Sequence, residues 1–164
     1  ASQWFADVEL VYDFVRASAL DKTKIAILGQ SLGAIPSSHA ALYQMPCALL
    51  METPFTSLGT IGQDNSGLGL PDAFLSKGQY DNIEKMKRYD GPLFVMHGTK
   101  DYKISYEAAV NLYENATGPK DMWTIVGVGH IISRPNRENA VGTKRYLGRI
   151  QEFLEEKASS CLTE

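Results

Sequence analysis

Four short apolar runs, each followed by a stretch of helical character, constrain this chain more than any other feature. The runs are residues 24–30 (KIAILGQ), 47–52 (CALLME), 92–97 (PLFVMH) and 122–126 (MWTIV). Each is too short for a helix and nearly continuous in apolar residues, the pattern of strands covered on both faces. Residues 31–43 are Ala-rich and read as a helix, with Pro36 in the first turn, where its missing N–H costs nothing. Residues 83–89 read as a short helix. Residues 105–116 are amphipathic and stop at Gly118 and Pro119. Residues 138–156 carry Tyr146, Leu147, Ile150, Phe153 and Leu154 along one face. Before the first run, Trp4, Val8, Val11 and Val15 recur at helical spacing, with Phe5, Tyr12 and Phe14 widening the apolar side. This alternation predicts a mostly parallel sheet between two layers of helices, the three-layer αβα arrangement of the α/β class. The chain of 164 residues fits a single domain.

Composition narrows the partners. Sixteen Lys and Arg stand against 19 Asp and Glu, for a net charge of −3. No broad basic field exists to draw nucleic acid or an anionic membrane. No apolar stretch approaches the ~18 residues of a transmembrane helix, and no basic-then-apolar start suggests a signal peptide. Cys47 and Cys161 lie far apart and form neither a zinc-ligand spacing nor a disulfide framework. A reducing, cytoplasmic location is the expectation. Residues 59–80 collect five glycines and Pro71 and read as an irregular excursion, a lid or a surface insertion. Lys85, Lys87 and Arg88 read as a solvated helix face, and Met86, Met96 and Met122 as core filler.

The chemistry concentrates at Gly29-Gln30-Ser31-Leu32-Gly33, where the first run ends and a helix begins. A GxSxG pentapeptide there makes a tight strand-to-helix turn that raises the serine hydroxyl above the sheet edge. Glycines on both sides avoid clashes in so tight a turn. The helix N-terminus offers free N–H groups, and the Leu32 N–H is the expected donor to an oxyanion. Chance alone produces the pentapeptide in a chain of this length with a probability of roughly 5%. The strand before it and the helix after it therefore decide the reading. A serine hydroxyl attacks only after a base takes its proton. Of the three histidines, His39 lies two helical turns past Ser31 and faces away. His97 ends the third run and suits a structural bond to loop backbone. His130 follows Gly127-Val128-Gly129 at the carboxyl end of the fourth run, the end where parallel sheets gather reacting groups. It is the candidate base. Asp101, just past the third run on the same edge, is the candidate orienting acid. Glu52, at the end of the second run, is the runner-up, and Asp90 lies at the opposite strand end. Phe55 could line an acyl pocket or pack in the core.

These segments, together with Glu52-Thr53-Pro54-Phe55-Thr56-Ser57 and His97-Gly98-Thr99-Lys100-Asp101, resemble successive motifs of the α/β-hydrolases. The likeness is greatest to the Bem46-like branch of serine hydrolases, which includes protein depalmitoylases, and it covers residues 4–155. It implies Ser31 as nucleophile, Asp101 as acid and His130 as base. It also implies hydrolysis of an ester or thioester through an acyl-enzyme, with no cofactor and a small-molecule or acylated substrate.

One departure matters. The family places several strands before the elbow strand and draws the second oxyanion N–H from a loop among them. Only residues 1–23 precede that strand here, room for one helix. Residues 24–30 would then form an exposed apolar edge. An N-terminal half, or a partner chain completing the sheet, is therefore expected. The alternatives are a non-catalytic fragment or interaction module without a complete oxyanion hole, and a serine peptidase of the same fold.

Overall fold

The computed structural model describes residues 2–19, 21–57, 80–133 and 141–162. Helix α1 (Ser2–Ser18) leads into β1 (Ala26–Gln30), a single 3₁₀ turn (Ser31–Gly33) and α2 (Ala34–Gln44). Then come β2 (Ala48–Glu52), α3 (Asn82–Met86), β3 (Leu93–Gly98), α4 (Tyr106–Asn115), β4 (Lys120–Ile125), α5 (Thr143–Lys157) and a terminal 3₁₀ turn (Ser159–Cys161). All four expected strands are present, shifted by one or two residues at their ends. They form one parallel sheet in the order β1-β2-β3-β4. The excursion expected over residues 59–80 lies outside the described residues except for Tyr80. So do residues 138–140 at the expected start of α5.

The pleat divides the strand residues between two cores. Leu49, Met51, Leu93 and Val95 point to one face and meet Ala41 of α2, Met86 of α3, and Ala109 and Leu112 of α4. Leu50, Phe94, Met96, Trp123 and Ile125 point to the other and meet Tyr146 and Phe153 of α5. This is the predicted three-layer αβα architecture. Pro36 sits in the first turn of α2, where a proline is tolerated.

Four expectations are corrected. First, β1 is not buried on both faces: among the described residues it is the exposed edge expected from the short upstream segment, and Leu28 is 52% exposed. Leu28 pairs in register with Leu50. It therefore shares the α5 face, but α5 packs over β3 and β4 instead. Second, the apolar stripe of α1 is only partly used. Phe5 and Tyr12 are buried, while Leu10, Val11, Phe14 and Val15 are exposed. Third, Lys85 is not on a solvated face. It is buried, with its ammonium donating to Ile35 O and Ser38 Oγ at 3.2 Å and lying over the Phe5 ring. Lys87 does face solvent and pairs with Glu84. Fourth, Cys47 and Cys161 are joined in a disulfide, with Cα atoms 5.3 Å apart. The cysteines are distant in sequence but meet because the C-terminal turn packs back beneath β2 on the α5 face. Disulfides persist in oxidising compartments, so the cysteine usage no longer supports a cytoplasmic location. Among the described residues, no helix is long and apolar enough to cross a membrane.

Candidate active site

The elbow begins with a backbone reversal. Ser31 has φ 51°, in the left-handed region that non-glycine residues seldom enter. The reversal lets the chain leave β1 and start a helix without a loop. Gly29 makes the fold-back feasible, because a Cβ there would lie 2.0 Å from Ser37 Oγ in α2. Gly33 differs from expectation. Its φ is −62°, and among the described residues nothing approaches within 4 Å of an added Cβ. The steric demand therefore falls on Gly29. Leu32 lies in the 3₁₀ turn, where the first N–H groups lack intrahelical partners.

Two loops at the carboxyl ends of β3 and β4 deliver the other groups. Thr99 N–H donates to Ile125 O at 3.0 Å, and Lys100 N–H donates to Val128 O at 2.8 Å. Gly127 N–H donates to Thr99 Oγ1. Gly98 permits this lacing, since a Cβ there would sit 2.2 Å from Val128 O. Asp101 and His130 are thereby brought together.

Asp101 Oδ2 lies 2.7 Å from His130 Nδ1, and His130 Nε2 lies 3.0 Å from Ser31 Oγ. An ionised carboxylate only accepts hydrogen bonds, which puts the proton on Nδ1 and leaves Nε2 to accept from the serine hydroxyl. The Asp101 side chain is fully buried, and that of His130 is 17% exposed. Burial by itself would raise the Asp101 carboxyl. Hydrogen bonds from His130, His97, and the Ile104 and Lys103 N–H groups override it and hold the group well below the usual carboxylate range. The two backbone donors reach Asp101 Oδ1 at 3.1 and 2.8 Å.

His97 has the structural role expected of it and a second contact besides. Its Nε2 lies 3.1 Å from Ile104 O and 3.3 Å from Asp101 Oδ2. Both neighbours are acceptors, so Nε2 carries the proton. Its buried Nδ1 has no partner among the described residues. His39 faces away from the elbow. It bonds Glu9 at 2.6 Å and stacks on Phe5, fastening α2 to α1. Phe55 is buried with Phe5, Ile35 and Ile104, the core position weighed against an acyl pocket.

Glu52 is not beside the imidazole. It is 1% exposed, and five donors converge on it. Gln30 Nε2 (2.7 Å), Ile132 N–H (3.1 Å), Ser133 N–H (3.3 Å) and Ser133 Oγ (3.2 Å) donate to Oε1. Tyr146 donates its hydroxyl to Oε2 at 2.8 Å. Burial first, then the charge of Glu52 and the bond to it, push the Tyr146 phenol above its ordinary value. Sequence reasoning took Tyr146 only as part of an apolar helix face. Nothing in its spacing revealed the carboxylate it meets.

No family model matches the chain. It is similar to the α/β hydrolase domain-containing protein aho-3 of Caenorhabditis elegans, with 28% identity over 95% of this chain and 44% of that protein. It is also similar to the human α/β hydrolase domain-containing protein 17B, with 26% identity over 93% of this chain and 49% of that protein. The chain thus spans about half the length of the curated relatives it matches. Among solved structures, an esterase of Pyrococcus furiosus superposes with a TM-score of 0.71 at 18% identity, covering 94% of this chain and 62% of that one. The fold is that of the α/β-hydrolases.

Proposed function

We propose, with the α/β-hydrolase fold as premise, that this chain carries the catalytic residues of a serine hydrolase acting on a carboxylic ester or thioester. The observation that carries the reading is the continuous chain Ser31 Oγ, His130 and Asp101, with bonds of 3.0 and 2.7 Å. Ser31 attacks the acyl carbonyl while His130 Nε2 takes its proton. Asp101 fixes the imidazole tautomer and stabilises the imidazolium. The Leu32 N–H binds the oxyanion. His130 then protonates the leaving group, and a water deprotonated by the same imidazole releases the acyl group from Ser31. Loss of one oxyanion donor costs ~100–1,000-fold in such reactions, and the proposal draws a second donor from outside this chain. The edge of β1, unpaired among the described residues, the exposed Leu28 and the exposed face of α1 support that part of the reading. The occupant proposed for them is an N-terminal half, or a partner chain completing the sheet.

The test is labelling by a fluorophosphonate, read by mass spectrometry on the full-length protein. A single adduct on Ser31, absent from Ser31→Ala, is the expected result. Full-length protein that stays unlabelled while folded would overturn the reading and favour an interaction module.

A further inference from the structure

We propose that Glu52 is a positioning residue that sets the Ser31 elbow and the His130 loop at hydrogen-bonding distance from one another; this rests on the catalytic reading above. Ser31 and His130 are 99 residues apart in sequence. They follow β1 and β4, the two outer strands of the described sheet. A productive encounter needs both held to within a fraction of an ångström, and a misplacement of about 1 Å can cost ~100-fold in rate.

The register explains how one carboxylate reaches both segments. Gln30 pairs with Glu52 across β1 and β2, so the residue immediately before the nucleophile lies beside it. The Gln30 amide donates to Oε1 at 2.7 Å. On its other side, the same oxygen collects Ile132 N–H, Ser133 N–H and Ser133 Oγ, the residues that follow His130 after one intervening position. The Tyr146 hydroxyl from α5 fixes the second oxygen. Glu52 therefore ties the elbow, the histidine loop and a helix of the opposite layer to one point. All five partners donate, which suits a group that only accepts.

The next residue strengthens the case. Thr53 has φ 48°, strained for a β-branched side chain. It is fully buried, and its Oγ1 has no partner among the described residues. Its N–H donates to Met96 O at 2.8 Å. The chain accepts strain immediately after Glu52 while keeping the carboxylate against Gln30 and the His130 loop.

The experiment compares Glu52→Ala, Glu52→Gln and Tyr146→Phe in the full-length protein. The readouts are esterase kinetics with an acyl p-nitrophenyl ester and the imidazole resonances of His130 by NMR. Alanine leaves Gln30, Ile132 and Ser133 without their acceptor. Its kcat is expected to fall about 10–100-fold, with KM moving less than about threefold. The His130 Nδ1–H and Nε2 signals should shift or broaden. Glutamine keeps an acceptor oxygen for the same donors and should restore kcat to within about fivefold of wild type. Tyr146→Phe leaves both tethers and should change kcat less than about threefold. Phe94→Ala serves as a destabilised control, and its kcat should hold at temperatures where it is folded. Wild-type kcat and unmoved His130 resonances in folded Glu52→Ala would overturn the proposal. So would a Glu52→Gln enzyme as slow as Glu52→Ala. If the wild type itself proves inactive, the catalytic reading fails, and the His130 resonances alone still decide whether Glu52 positions the loop.

Discussion

The two flanks of the sheet are held by different proportions of apolar packing and buried hydrogen bonds. On the flank of β3 and β4, Phe94 stacks on Phe153 at 4.8 Å, Arg145 and Arg149 lie over the Trp123 ring, and the disulfide ties the C-terminal turn to the start of β2. On the flank of β1, the edge is unpaired among the described residues, and Leu10, Phe14 and Leu28 face outward. Beside the small apolar cluster of Phe5, Ile35, Phe55 and Ile104, this flank carries a set of polar fastenings. Lys85 donates to Ile35 O and Ser38 Oγ, Ser38 Oγ donates to Asn82, Asn82 donates to Phe55 O, and His39 bonds Glu9. Asp101 and His130 stand on the apolar flank and Ser31 on the polar one. The proposed chemistry thus bridges a platform covered by a large apolar core and one whose smaller core is supplemented by buried hydrogen bonds. Mutations that damage catalysis should therefore separate from those that damage stability.

The largest effect expected is catalytic. Asp101→Asn should lower the rate of Ser31 labelling at neutral pH by roughly 10⁴-fold, because the amide no longer enforces the productive imidazole tautomer. Thermal melting monitored by circular dichroism checks that the loss is chemical. A variant that loses labelling only by unfolding would break the separation of the two platforms.

Stability should divide by flank. Phe94→Ala removes a ring buried between β3 and α5 and should cost about 3–5 kcal/mol in urea unfolding. Leu28→Ala, at the open edge, should cost within about 0.5 kcal/mol in this chain alone. The same change in the full-length protein should cost more, since the proposed upstream strands would bury Leu28. An equal, small cost in both would argue that nothing covers that edge.

Removal of the disulfide ranks next. It closes a loop with a sequence separation of 114, and cross-links of this kind contribute about 2–4 kcal/mol. Cys47→Ser with Cys161→Ser should lower Tm by about 2–4 °C for each kcal/mol lost. Ser31 labelling at 25 °C should stay unchanged, because the bond lies at the other end of the strands.

The comparison also explains what could be read in the sequence. The strands of the packed flank announce themselves as apolar runs, and the elbow glycine Gly29 announces a close approach. Ser31, Asp101 and His130 are legible as candidates because each follows a strand at the same edge of the sheet. Polar contacts between distant segments leave no such periodic trace. Lys85 reads as a surface cation because it sits in a basic run with Lys87 and Arg88, yet its ammonium is turned beneath α1. Glu52 reads as a candidate acid because it ends a strand. Its five donors come from residues up to 94 positions away, which no local pattern encodes. The cysteine pair failed for the same reason, since only the packed C-terminal turn brings Cys161 to Cys47.

A pH titration of stability probes the polar flank directly. Burial lowers the Lys85 ammonium to about 8 from 10.5, with Asp81 partly opposing the shift. Below about pH 8 the group is charged in both folded and unfolded states, and the folded state bears the full cost of burying it. Between that point and about pH 10 the folded chain releases the proton while the unfolded chain keeps it, so stability should rise with pH. The buried Tyr89 and Tyr146 phenols, both pushed above their ordinary value by burial first, reverse the trend above about pH 10, where unfolded tyrosines ionise. Urea unfolding at pH 7.5, 8.5 and 9.5 should therefore show an upward slope. In Lys85→Met the slope should vanish, while absolute stability changes according to whether restored apolar packing against Phe5 outweighs the donor lost to Ile35 O and Ser38 Oγ. A slope that survives in Lys85→Met would mean that another group supplies it and that the polar flank tolerates its buried cation without a titratable cost.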